Sequence, residues 1–381
     1  MEKITGLQRR AWAEIDVSNL KYNFDVIKSN LNTNTKLCCV IKANAYGHGA
    51  VKLAKIYSQL GANFLAVSNI KEALDLRTND IQLPVLILGF TPPECAEMLC
   101  QYNITQCVYS LKYAQELNSY AEKCDAKVRI HIKIDTGMGR LGFICHPEKN
   151  IGFDDIVHTC RLSHLIIEGI FTHFAVADAG VKGNLYTKFQ YQHFVDTIDC
   201  IEQKGIKFEI RHCANSAAIF DYTDYQLDMV RAGIALYGLY PSNTINNICD
   251  LKPAMTLKTI ISHIKDVSPG ETIGYGRLFS PTRITKIATL PIGYADGIFR
   301  SSSGYSVMIN NSPAEIVGNV CMDQMMINVS DICCSVDDIV TIFGTSCANN
   351  TVDSFALYNN TINYEVICNI SDRVPRIYTN D

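Results

Sequence analysis

Leu37-Cys38-Cys39-Val40-Ile41, followed at once by Lys42-Ala43-Asn44-Ala45-Tyr46-Gly47-His48-Gly49, is the stretch on which both fold and chemistry turn. The first five residues are apolar without a break, as in a strand buried on both faces. A lysine placed where such a strand meets its loop lies on a dry, concave surface. Partial desolvation there lowers an ammonium pKa and frees the amine for Schiff-base chemistry. Tyr46, Gly47 and Gly49 follow on a turn where backbone and a phenol can approach an anion. The plainer alternative is a lysine that snorkels off a strand end.

Outward from this stretch, short apolar segments alternate with amphipathic ones. Strands are expected at Leu37–Ile41, Phe64–Val67, Val85–Leu88, Thr105–Val108, Val128–Ile134, Ile166–Phe171, Phe208–Arg211 and Leu227–Arg231. Helices are expected at Gly49–Leu60, Asn69–Arg77, Leu111–Cys124 and Tyr186–Lys204. Eight strands separated by helix-length segments predict an α/β fold with a parallel sheet closed into a TIM-like (β/α)8 barrel. Lys42, His173, Ser216 and Gly233 all follow the C-terminal end of a predicted strand, where such barrels carry chemistry. After about Pro241 the pattern turns β-rich, at Met255–Val267, Ile284–Leu290 and Asp338–Phe343. Val307-Met308-Ile309 and Ile316-Val317 flank an Asn310-Asn311-Ser312-Pro313 turn. The expected division is a barrel over 11–243 and a mostly-β domain over 244–381, which the first ten residues join.

Composition narrows the class. Of 381 residues, 48% are hydrophobic and 19% charged, enough for a large core and too apolar for disorder. A net charge of −4, with no basic stripe, gives no footprint for nucleic acid. The 16 cysteines form no C-x-x-C pair; Cys38-Cys39 and Cys333-Cys334 sit in apolar runs and many others at apolar-periodic positions, which reads as reduced core thiols of a cytoplasmic protein. No run of about 18 apolar residues occurs, so no membrane contact is expected of this chain. A membrane-anchored parent protein stays open.

Further motifs follow in order. They are Lys133-Ile134-Asp135-Thr136-Gly137-Met138-Gly139-Arg140-Leu141-Gly142, Thr172-His173-Phe174, Ala214-Asn215-Ser216-Ala217-Ala218 and Val230-Arg231-Ala232-Gly233-Ile234. Then come Gly274-Tyr275-Gly276, Gly293-Tyr294-Ala295-Asp296-Gly297, Cys321-Met322-Asp323-Gln324 and Arg373-Val374-Pro375-Arg376. With Lys42–Gly49 these nine segments resemble the alanine racemases, enzymes that depend on pyridoxal 5'-phosphate. The resemblance runs from about Ala11 to Tyr378.

The resemblance implies a role for each residue. Lys42 holds the cofactor as a Schiff base and then serves as one base at the substrate α-carbon. A planar intermediate must gain and lose protons on opposite faces, so a second base is needed, and the family assigns it to the tyrosine here at Tyr275. A phenol titrates near 10 unperturbed and needs neighbours to work near neutrality; His173 and Arg231 are those the resemblance offers. Arg231 faces the pyridine nitrogen, and a guanidinium with donors only keeps that nitrogen unprotonated. The cofactor is then a weaker electron sink. The phosphate rests on Tyr46, Ser216, the N–H groups of Gly233 and Ile234, and Tyr364, with Asn215 beside them. Arg140 meets the cofactor's phenolic oxygen and the substrate carboxylate. Lys133, expected seven residues earlier on the same strand, matches a lysine often carbamylated in relatives; a pairing of both with Asp135 on a wet face is the bland alternative. Met322, Asp323 and Tyr294 line the substrate side. Tyr275, Tyr294 and Met322 reach the site from a second subunit, which implies a homodimer with shared sites. No metal is implied.

Two positions depart from the family. Asn319 stands where many members carry arginine, at the substrate access channel, and the chain stops five residues after Arg376 where many continue. The expected activity is interconversion of L- and D-alanine for peptidoglycan. A serine/alanine racemase of a glycopeptide-resistance system is the alternative, and Tyr364 argues for alanine. A decarboxylase of similar architecture, or a protein that only carries the cofactor, fits the Gly274-Tyr275-Gly276 and Cys321–Gln324 segments poorly.

Overall fold

The computed structural model describes residues 10–149, 151–245, 247, 249–344 and 350–381. After a first strand, β1 (Ala11–Asp16), come β2 (Lys36–Val40), β3 (Phe64–Val67), β4 (Val85–Ile87) and β5 (Ile104–Val108). β6 (Val128–Lys133), β7 (Leu165–Phe171), β8 (Ile210–His212) and β9 (Met229–Ala232) follow. β2 to β9 form one parallel sheet in the order β8-β7-β6-β5-β4-β3-β2-β9. Its two ends also meet. Asp228 N–H donates to Arg211 O at 3.1 Å and Arg231 N–H to Ala214 O at 3.0 Å. The expected eight-stranded barrel is therefore present, and β3, β4 and β5 are buried along their whole length, as a sheet covered on both faces requires.

The connecting helices fall within two residues of expectation: Ala50–Leu60, Ile70–Thr78, Leu111–Lys123 and Asn184–Glu202. Two start on side-chain caps, where Asn69 accepts from Glu72 N–H and Ser110 from Tyr113 N–H. Helix Leu111–Lys123 buries Tyr113, Ala114, Leu117 and Ala121, the spacing of a single inward stripe.

The β-rich region holds β10 (Met255–Ile260), β11 (His263–Val267), β12 (Thr285–Leu290), β13 (Ser306–Ile309), β14 (Ser312–Glu315), β15 (Met325–Asn328), β16 (Ile339–Phe343) and β17 (Arg376–Thr379). They make a six-stranded sheet, β14-β13-β16-β10-β1-β17, and a three-stranded one, β11-β12-β15. Val267, Ile273, Ile287 and Val317 pack together under the smaller sheet. The β-rich stretch Met255–Val267 is thus two strands in different sheets. The β13–β14 turn is Asn310-Asn311 alone, both left-handed at φ 48° and 64°, the pair a tight hairpin demands. Ser312 and Pro313 lie inside β14, at the sheet edge where proline is tolerated.

β1 pairs antiparallel with β10 and parallel with β17. The chain accordingly groups into one unit of Lys21–Ala45 and Ala50–Leu251, and another of Tyr46–Gly49, Lys252–Asp381 and the described part of Met1–Leu20. This differs from a barrel that begins at residue 11 and ends at 243. No strand is expected at Ala11–Asp16 from the apolar pattern, and its pairing with β10 and β17 places it in the six-stranded sheet. The described cysteines are all unbridged. Among the described residues no helix is long and apolar enough to cross a membrane.

Candidate active site

Lys42 follows β2 by two residues and opens a turn with an unusual backbone. Ala43, Asn44, Ala45 and Tyr46 all have φ between 51° and 53°. Four consecutive non-glycine residues in the left-handed region cost about 1–2 kcal/mol each, so the surroundings must hold them. Ala45 N–H donates to Ile41 O at 2.8 Å, Asn44 Oδ1 accepts from Ala50 N–H at 2.8 Å, and Glu72 Oε1 accepts from Ala43 N–H at 2.8 Å. The other Glu72 oxygen accepts from Ser68 N–H at 2.7 Å. Further on, Gly47 (φ 81°) lies so close to Ile367 that an added Cβ would sit 2.2 Å from its carbonyl oxygen. Arg376 Nε donates to Gly47 O at 2.7 Å and Tyr378 OH to His48 O at 3.0 Å. Tyr46 is buried, 6.0 Å from Tyr364 between ring centroids. Neither the left-handed turn nor Glu72 is signalled by the sequence beyond the single turn-prone Asn44.

Cations dominate the C-terminal mouth of the barrel. Lys133 ends β6, is 6% exposed, and places Nζ 4.5 Å from the Phe171 ring centroid. Burial, then the positive charge of Arg231, pushes its pKa down to about 7. The wet-face pairing with Asp135 is not found. Asp135 Oδ1 instead accepts from the N–H groups of Gly137, Met138 and Gly139 at 2.9–3.0 Å. That turn carries the chain to Arg140, which is exposed and lies beyond β6, not on the strand with Lys133.

Arg231, on β9, is 4% exposed. Its Nη1 donates to His212 Nδ1 at 2.7 Å; its Nη2 donates to Thr172 O at 2.8 Å and to His173 Nδ1 and Cys213 O at 3.1 Å. Burial pushes its pKa down to about 10, which still leaves a cation at neutral pH. Nε–H stays outside this set of bonds. His173, two residues past β7, is held well below the usual histidine range by burial and by Arg231, Lys133, Arg140 and Lys42. It is a neutral imidazole whose Nδ1 accepts, so Nε2 carries the hydrogen. Burial lifts the Cys38, Cys107 and Cys213 thiols to about 12, which makes them inert walls.

Beyond β8, Asn215 rather than Ser216 caps the six-residue helix Ser216–Asp221, accepting from Ala218 N–H at 3.1 Å. Ser216 Oγ turns to Gly233 N–H at 2.9 Å. The N–H of Ile234, at the head of the turn Ile234–Tyr237, has no partner among the described residues.

The other expected residues lie in the β-rich unit. Tyr275 occupies a short 3-10 turn, Tyr275–Arg277, and is 71% exposed. Asn319 Nδ2 donates to its carbonyl oxygen at 2.7 Å, so this departure from the family pattern has a structural task. The carbonyls of Cys321 and Met322 accept from Tyr294 and Ala295 N–H at 3.0 Å, joining those two segments. Asp323 Oδ1 accepts from Arg373 Nη2 at 2.6 Å. Arg373 also lies 3.6 Å from Asp296, a fully buried carboxylate that Arg10 grips with both terminal nitrogens at 2.6–3.0 Å.

The barrel residues thus gather cations, present a half-buried lysine, and keep a neutral histidine against a guanidinium. Comparison with known proteins agrees in extent. The family described as "Alanine racemase, N-terminal domain" matches residues 15–241, and "Alanine racemase, C-terminal domain" matches 254–378. Alanine racemase 1 of Clostridium acetobutylicum is 45% identical over 374 residues, covering 97% of this chain and 95% of that protein. The alanine racemase of Clostridium tetani is 45% identical over 378 residues, covering 98% and 96%. The solved alanine racemase of Clostridium difficile 630 superposes with a TM-score of 0.91 at 43% identity, over 97% of this chain and 96% of that one. That of Bacillus anthracis, solved with bound L-Ala-P, gives 0.91 at 35% identity over 98% and 96%.

Proposed function

The chain belongs to the alanine racemase family, and from that premise we propose that it interconverts L- and D-alanine with pyridoxal 5'-phosphate, supplying D-alanine for peptidoglycan. The observation that carries the reading is the gathering of Arg231, Lys133, Arg140 and Lys42 around one neutral histidine, His173. Such a set suits a cofactor with an anionic phosphate and phenolate and a substrate with a carboxylate. The unengaged Nε–H of Arg231 suits an unprotonated ring nitrogen, and the free N–H of Ile234 with Ser216 suits a phosphate oxygen. The family resemblance assigns Tyr46 and Tyr364 to the phosphate as well.

When bound, the cofactor supplies the electron sink that makes an α-proton removable. Lys42 would hold it, and its amine would take or return the α-proton on the face used by D-alanine. Tyr275 does so on the opposite face, used by L-alanine. Arg231 would orient the ring by donation, and burial together with its charge keeps His173 neutral. Arg140, Met322 and Asp323 receive the substrate carboxylate side. Tyr275, Tyr294 and Met322 act on the barrel of a partner subunit in a homodimer; their exposure in a single chain, with that of Leu278, supports this.

Lys133 is proposed to be carbamylated. A pKa near 7 gives a large neutral fraction at physiological pH, and only a neutral amine adds carbon dioxide. The product is an anion between two arginines, releasing the strain of three neighbouring cations. A plain lysine by carbon-13 NMR under labelled bicarbonate would remove this claim.

Tyr364 walls the substrate methyl, so alanine is preferred over serine. A pocket without room or a polar partner for an added hydroxyl discriminates by roughly 10–200-fold. Tyr364→Asn should narrow the kcat/KM ratio of L-alanine to L-serine; an unchanged ratio refutes the assignment. The primary test is D-alanine formation with and without added cofactor, followed by borohydride fixation. The expected result is cofactor-dependent turnover and label on Lys42. No turnover, or label on another lysine, overturns the reading.

A further inference from the structure

Four consecutive barrel strands contribute one buried hydrogen-bonded line. Arg231 (β9) donates to His212 Nδ1 (β8) at 2.7 Å; His212 Nε2 meets His131 Nδ1 (β6) at 2.8 Å; His131 Nε2 meets Glu168 Oε2 (β7) at 3.1 Å. Both imidazoles are fully buried. Glu168 also accepts from Thr105 Oγ1 at 2.9 Å and lies 3.9 Å from Arg129. Gly169 makes the room: a Cβ there would sit 2.7 Å from His131 Cε1.

We propose that His131 and Glu168 are positioning residues for Arg231, acting through His212 by fixing the direction of every hydrogen bond in the line. A guanidinium has donors and no acceptor. His212 Nδ1 must therefore accept, so its hydrogen is on Nε2. That hydrogen points at His131 Nδ1, which must accept in turn, leaving the His131 hydrogen on Nε2. Its partner, Glu168 Oε2, must then accept, as a carboxylate oxygen does. Protonating either ring sets two hydrogens face to face somewhere along the line. The shifts agree: burial and neighbouring cations hold His212 well below its usual range, burial lowers His131, and the bonds from His131 and Thr105 outweigh burial and hold Glu168 low. A buried cation is thereby matched, two rings away, by an anion, and one guanidinium edge is tied down while Nε–H stays available.

The line itself needs no cofactor; its bearing on turnover rests on the role proposed for Arg231. Nitrogen-15 NMR of histidine-labelled protein at neutral pH separates the two questions. Two neutral rings with hydrogen on Nε2 are expected for His131 and His212, with protons protected from exchange. Glu168→Gln retains a carbonyl acceptor and should keep that pattern, with kcat within about threefold, whereas Glu168→Leu should lose it and lower kcat about tenfold with KM within about twofold, the range typical of outer positioning partners. Hydrogen on Nδ1 of either ring, or a doubly protonated ring, in the unaltered protein overturns the proposal even if D-alanine is made. Unchanged ring signals and kcat in Glu168→Leu overturn it as well. Rescue by Gln but not Leu supports it, and the unaltered and Gln proteins decide the matter if the Leu variant does not fold.

Discussion

The barrel and the β-rich unit hold their chemistry in opposite ways. In the barrel, Lys133 and Arg231 are 6% and 4% exposed, and every contact they make is dry. In the β-rich unit, Tyr275 and Met322 are 71% and 53% exposed. A buried cation must be compensated by acceptors built into the wall, or it will not stay charged. An exposed phenol needs no such compensation; it needs its backbone aimed, and Asn319 does that through one carbonyl. The first kind of residue is therefore bound up with stability and the second is not.

Tyr275→Phe puts that contrast to its strongest test. Exchange of the α-proton of L-alanine into heavy water, followed by NMR, should slow about 10²–10⁴-fold, and that of D-alanine far less. Thermal melting should barely move, since exposed substitutions stay within about 0.5 kcal/mol. Equal slowing of both enantiomers would count against opposed bases. Arg231→Met should instead destabilise the fold by about 3–5 kcal/mol, because it strands His212 Nδ1 and two carbonyls in a dry interior. Denaturant titration would read this, and an unchanged midpoint would erase the distinction.

Acid should also act on the barrel first. His131 and His212 are held below their ordinary value of 6.5 in the folded chain. Unfolding lets them take up protons, so stability is intact above about 6.5 and falls as pH drops below it, by about 1.4 kcal/mol per unit for each ring. The groups facing them are Glu168, Arg231, Lys133 and, more distantly, Lys36. Melting curves between pH 8 and 5 would show the slope; a flat profile would mean the rings are not suppressed. The smallest effect belongs to Asn319→Ala. Losing one exposed hydrogen bond to the Tyr275 carbonyl is worth about 1 kcal/mol, roughly fivefold in kcat/KM, without a change in melting.

The barrel is the more legible of the two regions in the amino-acid sequence. Unbroken apolar runs locate its strands because a parallel sheet covered on both faces has no polar side to interrupt them. Lys42, His173 and Gly233 are legible as strand-end residues for the same reason. What pattern does not reveal is partnership. β1 is not among the expected strands, and its place beside β10 and β17 is a fact of tertiary packing. His131 and Lys133 stand two apart on β6, a period-two signal that both face the barrel interior, but the line to Glu168 depends on a register shift between Ile130 and His131. Arg140 leaves the expected strand because Gly137 and Gly139, members of a family motif, also form the turn that Asp135 holds closed.

The left-handed turn after Lys42 has a consequence of its own. Its four residues trace one turn of a mirror-image helix, the shape that residues of inverted chirality adopt at rest. Assembling the chain by peptide ligation with D-alanine at 43 or 45 would give each position its native dihedrals without the steric toll of an L-side chain, a gain of about 1–2 kcal/mol per site. Beside Lys42, the chain keeps a piece of backbone for which the amino acid we propose it makes would be the better building block.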